Sequence, residues 1–347
     1  MKSKRVLALC LSLFTLLAVA GCTQQGVQEP SSSTSAAATT TAAPTTAAPA
    51  PRYDIRIGML TGATGVGAAY LMEENEKGSA ANNYTFSLAA APTDLVGQLT
   101  SGSLDMIAVP TNLAASLYAK TQGNIRIVAL NTLGVLNLLE NGDTIHSVAD
   151  LKGKTIYAFG QGANPEYVLN YILEKNGLKP GTDVEIVFKD NTELTTLMAT
   201  GEAKIAMLPV PASTTVLAKN ADVRFALDIT EEWDKIKEDD SVLTMGCVVT
   251  TAKYAEENAD AISSFLTEYA ASIDYTNANP KDAAALVEKF AIVPSAAIAE
   301  KAIPDSNLVC ITGDAIQPAI EGYFNVLFQA DPTSVGGAVP DAGIYFK

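Results

Sequence analysis

One stretch of this chain occurs twice. TDLVGQLTSGSLDMIAVP, from Thr93 to Pro110, returns in its turn and cap residues as TELTTLMATGEAKIAMLP, from Thr192 to Pro209. The two align without a gap at an offset of 99 residues: Thr93 with Thr192, Asp94 with Glu193, Leu95 with Leu194, Gly102 with Gly201, Pro110 with Pro209. Upstream of each copy a β-prone run enters a loop of small residues. Ile55–Leu60 runs into Thr61-Gly62-Ala63, and Thr155–Phe159 into Gly160-Gln161-Gly162-Ala163. Each half reads strand, small loop, helix, strand, Thr-acid-Leu helix, Gly, strand, Pro. Two such halves predict an α/β protein of two pseudo-symmetric lobes, each built on a parallel-rich sheet. Chance similarity between amphipathic segments does not account for turn and cap residues shared at a single offset.

The second copy begins with the clearest local signals, between Asp150 and Phe188. Asn164 is placed to cap a helix and Pro165 fits the first helical position. Tyr167, Val168, Tyr171 and Ile172 form an apolar face at helical spacing, and Gly177 with Pro180 marks the stop. Val184 to Phe188 is the next strand. This βαβ pattern implies parallel strands and a right-handed crossover. Its loop leaves backbone N–H groups at a helix start, where an anion or a polar ligand group can bind. The same pattern also serves as a purely structural turn.

The chain opens with Lys2, Lys4 and Arg5, then an apolar run from Val6 to Leu17, then Val19-Ala20-Gly21-Cys22. The run is short for a membrane span, and small residues precede the cysteine. The ending resembles the lipobox of bacterial lipoproteins. That resemblance implies cleavage after residue 21 and lipid transfer to Cys22, which would anchor an extracytoplasmic protein to the membrane. Residues 22–52 are nearly all Ser, Thr, Ala, Pro and Gln, too polar to offset chain entropy, and read as a disordered tether.

Composition removes much chemistry. The formal net charge is −15, and losing the basic leader makes it more negative. Nucleic acid and anionic membrane are disfavoured as partners. His146 is the single histidine, so no His/Cys metal cluster is expected, and a Ser-His-Asp triad would have to use this residue from a polar connection. No P-loop and no GxGxxG occurs, and no cofactor is expected. Cys247 and Cys310 lie in apolar β-like runs; the sequence leaves open whether they are free thiols or a pair.

Between and after the repeats, Val135–Leu139 and Leu243–Thr250 read as two paired strands joining the lobes, a two-strand hinge. The expected division is residues 53–147 with 243–347 as the first lobe and 148–242 as the second. Helices are expected over Glu256–Tyr275, Pro280–Phe290, Pro294–Ala302 and Gly313–Phe328, the last with Ile316, Ile320, Phe324 and Leu327 on one face.

The phrases DLKGKTIYAFGQGANPEYVLNYILEKNGL, GSLDMIAVPTNLAASLY, GEAKIAMLPVPAS and GGAVPDAGIY are similar to the type II periplasmic-binding-protein family that includes sulfonate, taurine and thiamine-precursor binders. The resemblance implies a non-enzymatic, monomeric solute-binding protein that closes on a small molecule and delivers it to the permease of an ABC importer. It places the ligand where strands feed helix starts: Thr61, Thr64, Gly65, Thr111 and Asn112 in the first half, Gln161, Gly162, Ala163, Asn164 and Val210 in the second. Many members carry an acidic residue where Val210 stands. One branch builds a pyrimidine and needs a Cys-rich motif, which this chain lacks. A sulfonate-like organic anion is favoured as solute, with a neutral or heteroaromatic molecule as the alternative. An exported hydrolase is the competing class, and a surface adhesin a third.

Overall fold

The computed structural model describes residues 51–347; the leader, Cys22 and the tether up to residue 50 lie outside the described residues. The 99-residue offset reappears in the elements themselves. β3 (Met106–Pro110) and β8 (Ile205–Pro209) begin and end at matching positions, each preceded by a helix, Pro92–Thr100 and Asn191–Thr200. Leu95 and Leu99 in one helix, and Leu194 and Met198 in the other, are buried against the sheets. Gly102 and Gly201 then turn the chain with φ of 76° and 80°, a region that a Cβ disfavours. The copies differ at the cap. The Asp190 side chain accepts the Glu193 N–H at 2.8 Å, whereas the matching residue, Ala91, has no side chain able to do so.

The remaining strands are β1 (Asp54–Leu60), β2 (Asn83–Ala89), β4 (Ile125–Leu133), β5 (Leu136–Asn141), β6 (Thr155–Ala158), β7 (Glu185–Phe188), β9 (Val223–Asp228), β10 (Thr244–Thr251) and β11 (Leu308–Thr312). They form a six-stranded sheet in the order β11-β4-β10-β3-β1-β2 and a five-stranded sheet in the order β7-β6-β8-β5-β9. Neither is mainly parallel. β1 pairs in parallel with β2 and β3, and β6 with β7 and β8, but β10 and β11 in one sheet and β5 and β9 in the other run antiparallel to their neighbours. The βαβ units account for the parallel half of each sheet only.

The expected pairing of Val135–Leu139 with Leu243–Thr250 does not form. β5 is held by β8 and β9, and β10 by β3 and β4. The apolar run 125–139 is split at Gly134-Val135 between two sheets, each of which satisfies its own backbone groups. β5 therefore belongs with the second sheet, although the sequence division put it in the first lobe. The chain crosses at Gly134-Val135 and again over residues 237–243. The Asn307 side chain donates to the Gly134 carbonyl at 2.5 Å and fixes the first crossing.

Helix Ile316–Ala330 buries Ile316, Ile320, Phe324 and Leu327, as its spacing predicts, in an apolar core that takes Val109 and Leu130 from one sheet and Leu138, Ile156 and Met207 from the other. Helices Ala259–Ala278, Pro280–Lys289 and Ala296–Ala302 pack on the first sheet in a second core. Cys247 and Cys310 are free. They lie on β10 and β11, which flank β4. Strands two apart stand about 9–10 Å from each other, beyond disulfide reach.

Candidate functional site

Parallel pairing sets the expected ligand loops side by side. Gly58 of β1 opposes Ile107 of β3, so the segments beginning at Thr61 and Thr111 leave the same edge of the first sheet. Tyr157 of β6 opposes Ala206 of β8, which sets the loop at Gly160 beside Val210. The two edges meet. Val210, Val135 and Ala302 form a small buried cluster, with Ala63 and Met245 packed on it. Helix Ala212–Lys219 of the second half touches helix Ala296–Ala302.

In the first half most of these residues serve the fold. Thr61 is exposed and its N–H donates to the Ala89 carbonyl at 3.0 Å. The Thr64 carbonyl accepts from Asn131 Nδ2 at 3.1 Å, and the same amide donates to the Tyr269 hydroxyl at 3.0 Å. Gly65 is demanded by packing, since a Cβ there would lie 2.0 Å from the Leu60 carbonyl oxygen. Thr111 is fully enclosed and lies 3.2 Å from Thr244 Oγ1. Thr244 donates its own proton to the Thr132 carbonyl, so Thr111 is the donor between the two hydroxyls. Burial pushes the Cys247 thiol up to about 12. Asn112 is half-buried beside it.

The second half is different. Gln161 and Gly162 are exposed and Ala163 is half-buried. The Gly162 N–H donates to Glu166 Oε2 at 2.6 Å, and the Ala163 N–H to the Gly160 carbonyl at 3.0 Å. Asn164 does not cap its helix. Ala163 holds the cap position, Asn164 is the first helical residue, and the Glu166 carboxylate reaches back to the loop in its place. Asn164 is 4% exposed, and its Oδ1 has no hydrogen-bond partner among the described residues. Val210 is buried, and its N–H donates to the Val135 carbonyl at 2.9 Å.

Two residues escaped the sequence reading, which stopped at Val210. Ser213 and Thr214, in the first turn of helix Ala212–Lys219, are buried, and neither hydroxyl oxygen has a partner among the described residues. Two hydroxyls just past the Pro209-Val210-Pro211 that follows the strand were the available signal. Asn131 was also missed, because its role depends on a strand distant in sequence. None of the residues placed at the site carries a charge. Lys189, after β7, is engaged by Glu193 at 2.9 Å. His146 Nε2 lies 3.8 Å from Asp143, with both side chains largely in water. A triad needs a base oriented by an enclosed acid, and this is a surface pair. The residues expected at the site offer neutral hydrogen bonding and apolar contact.

Known proteins agree with this architecture. A Parabacteroides distasonis structure described as an ABC transporter superposes with a TM-score of 0.72 at 22% identity, over 84% of this chain and 98% of its own. The periplasmic aliphatic sulphonate binding protein of Escherichia coli gives 0.64 at 20% identity, over 84% and 94%. These likenesses carry the two-lobed fold. A Brucella abortus protein named as a binding protein is 24% identical over 233 residues, 63% of this chain and 67% of its own. The profile of the family described as NMT1/THI5 like matches residues 95–283, more than half of the sequence, and the chain belongs to that family.

Proposed function

We propose that this chain is an extracytoplasmic solute-binding protein of an ABC importer, tethered through a lipid on Cys22, that captures a small molecule between its two sheets and delivers it to a permease. The observation that carries this reading is the seam at Val210. There the strand ends of one half meet Ala63, Met245 and Ala302 of the other, while the chain crosses at only two places. Such a body can open and close around a solute. Family membership and the Escherichia coli sulphonate binder support it. Val19-Ala20-Gly21-Cys22 supports the anchor. Changing Cys22 to Ser should release the protein from the membrane fraction with its fold intact.

The sequence favours a sulfonate-like anion as solute, with a neutral or heteroaromatic molecule as the alternative. The proposed site residues are Thr61, Thr64, Asn112, Gln161, Gly162, Ala163, Asn164 and Val210, with Gly65 and Thr111 supporting them. The test is to incubate the protein with a metabolite mixture, wash, and identify what is retained by mass spectrometry. A retained solute that raises the melting temperature supports the reading. Turnover of an ester or phosphate panel that disappears on changing His146 would replace it with an exported hydrolase.

A further inference from the structure

The two edges that meet at Val210 also enclose an acidic cavity. It holds about 190 Å³, and Val135 belongs both to its lining and to the seam. On the second sheet Asn137 opposes Leu208 and Asp228, at the edge where β8 and β9 end. On the first, Asp305 and Asn307 lead into β11, whose Leu308 opposes Thr132. Thr132 and Pro110 both oppose Gly246, so this is the edge at which β3 ends. The cavity therefore lies in the cleft, with both halves in its lining.

Its uncommitted groups are rich in acceptors. Asp228 Oδ1 accepts the Thr230 and Glu231 N–H groups, and its other oxygen has no partner among the described residues. The Asp305 carboxylate has none either. Asn307 donates through Nδ2 to the Gly134 carbonyl at 2.5 Å, which leaves its Oδ1 uncommitted. Asn137 is 7% exposed, and its side-chain amide makes no hydrogen bond among the described residues. A polar side chain so enclosed is costly to leave unpaired. No Lys, Arg or His lines the cavity. Burial, and then the charge of Asp228, push the Asp305 carboxyl above its usual range, so the two carboxylates are neighbours.

We infer that this cavity is a subsite for an organic ammonium group, and that the solute carries one at the end it presents to Asn137, Asp228, Asp305 and Asn307. An ammonium has three N–H donors and no acceptor, which two carboxylates and two amide oxygens suit. A calcium ion takes roughly six to eight oxygen ligands, and no third His, Cys, Asp or Glu joins the pair among the described residues. Phe225, 40% exposed, lines the same cavity and offers an aromatic surface that an organic cation would cover. This rests on the binding reading above. It assigns one end of the solute and is independent of what the other end carries.

The test compares the parent chain with Asp228→Asn and Asp305→Asn combined. Asparagine also caps a helix, so the first change keeps the start of helix Ile229–Ile236, and circular dichroism checks the fold. If the double variant does not fold, Asp305→Asn alone, at an exposed position, makes the same comparison. The probes are matched pairs that differ in the cationic nitrogen, β-alanine against propionate and benzylammonium against benzyl alcohol among them, with calcium chloride as a metal control. Each is scored by Tm and calorimetry. The ammonium member should bind the parent at least about tenfold more tightly, the worth of one charged hydrogen bond. The double variant should lose that preference and hold the other member as before. Equal binding of the two members, or a preference that survives in the double variant, overturns the inference and leaves the binding reading standing. So does a solute without a basic nitrogen retained from the metabolite mixture. Stabilisation by calcium that the double variant loses assigns the cavity to a metal and overturns the ammonium. A parent that retains nothing and is stabilised by no probe takes the binding reading down with it.

Discussion

β3 and β8 both end on proline at the same point of the repeat, and the segments after Pro110 and Pro209 have opposite fates. Thr111 follows at once, enclosed and spent on Thr244. After Pro209 the helix starts only at Ala212, and Ser213 and Thr214 are as buried as Thr111 but unpartnered. The repeated pattern fixes the backbone of both halves: a helix, a left-handed glycine, a strand and its position in the sheet. It does not fix what the side chains beyond the strand are for. One half has filled its polar needs from within, and the other has left them open. The asymmetry therefore carries more information about binding than the symmetry does.

The largest expected effect tests whether the halves form one cooperative body. Phe324 is fully buried in the core drawn from both sheets. Phe324→Ala should cost about 3–5 kcal/mol, seen as one urea transition moved to lower concentration by both fluorescence and circular dichroism. Two separate transitions would mean that the halves unfold independently, and the comparison would then be between two domains.

Each half also holds a carboxylate paired to an arginine. In the first, Asp105 accepts from Arg56 Nε at 3.0 Å and from the Arg56 N–H at 2.8 Å. In the second, Glu140 accepts from Arg224 at 2.8 Å, from the Thr144 hydroxyl at 2.6 Å, and from the Thr144 and Ile145 amides. Burial pushes the Glu140 carboxyl up, but the Thr144 and Ile145 hydrogen bonds and the Arg224 charge together hold it below its ordinary value. A depressed acid contributes stability above its unfolded value, about 4.3, and loses it as pH falls through the folded value. Glu140→Gln should therefore cost about 1.5–3 kcal/mol at pH 7, with the gap to the parent closing in acid. A gap that stays constant down to pH 3 would show that Glu140 acts through shape and not charge.

A smaller pair of effects bears directly on the two proline loops. Thr111→Val removes one neutral hydrogen bond and should cost about 0.5–1.5 kcal/mol. Thr214→Val removes an unpartnered hydroxyl and should stabilise the ligand-free protein by a similar amount. Chemical denaturation of the two variants side by side gives the signs. If both lose stability, the second half is as saturated as the first.

Much of this fold was legible because its signals are local. The two left-handed glycines, the Ile316–Leu327 face and the stop at Gly177 depend on residues a few positions apart, and the 99-residue offset is a repeat of such local signals. Gly177 takes φ 77° with Leu178 N–H bonded back to the Leu173 carbonyl. The hinge was misread because an apolar run carries no mark of which sheet will pair with it. Only Gly134 hinted at the break. Asn164 was read as a cap by residue type, but capping is a contest, and Glu166 reached the loop. Ser213 and Thr214 were passed over because an unpartnered hydroxyl and a bonded one look alike in a sequence.

The smallest effect lies at the crossing between the sheets. A cavity of about 190 Å³ is lined by Gly134, Val135 and Asn137, by Phe225 and Asp228 at β9, and by Pro304, Asp305 and Asn307 from the segment after helix Ala296–Ala302. Asp228 is committed as a helix cap, accepting the Thr230 N–H at 2.7 Å, so its charge is held in place. Asp305 faces that charge with no cation in the lining. Partial burial, and then Asp228, push its carboxyl above the usual range. The sign is opposite to that of Glu140. An acid raised in the folded state binds its proton more readily there than in the unfolded chain, so folding gains as pH falls through the folded value and levels off below about 3.9. At neutral pH the charge on Asp305 opposes the folded arrangement. Asp305→Asn should then move the urea midpoint up slightly at pH 7 and hardly at all at pH 3. Because Asp305 is exposed at the surface, salt should screen most of the gain. A gain that persists unchanged in high salt would assign it to local packing, and no gain at low salt would mean that the two carboxylates do not sense each other across the crossing.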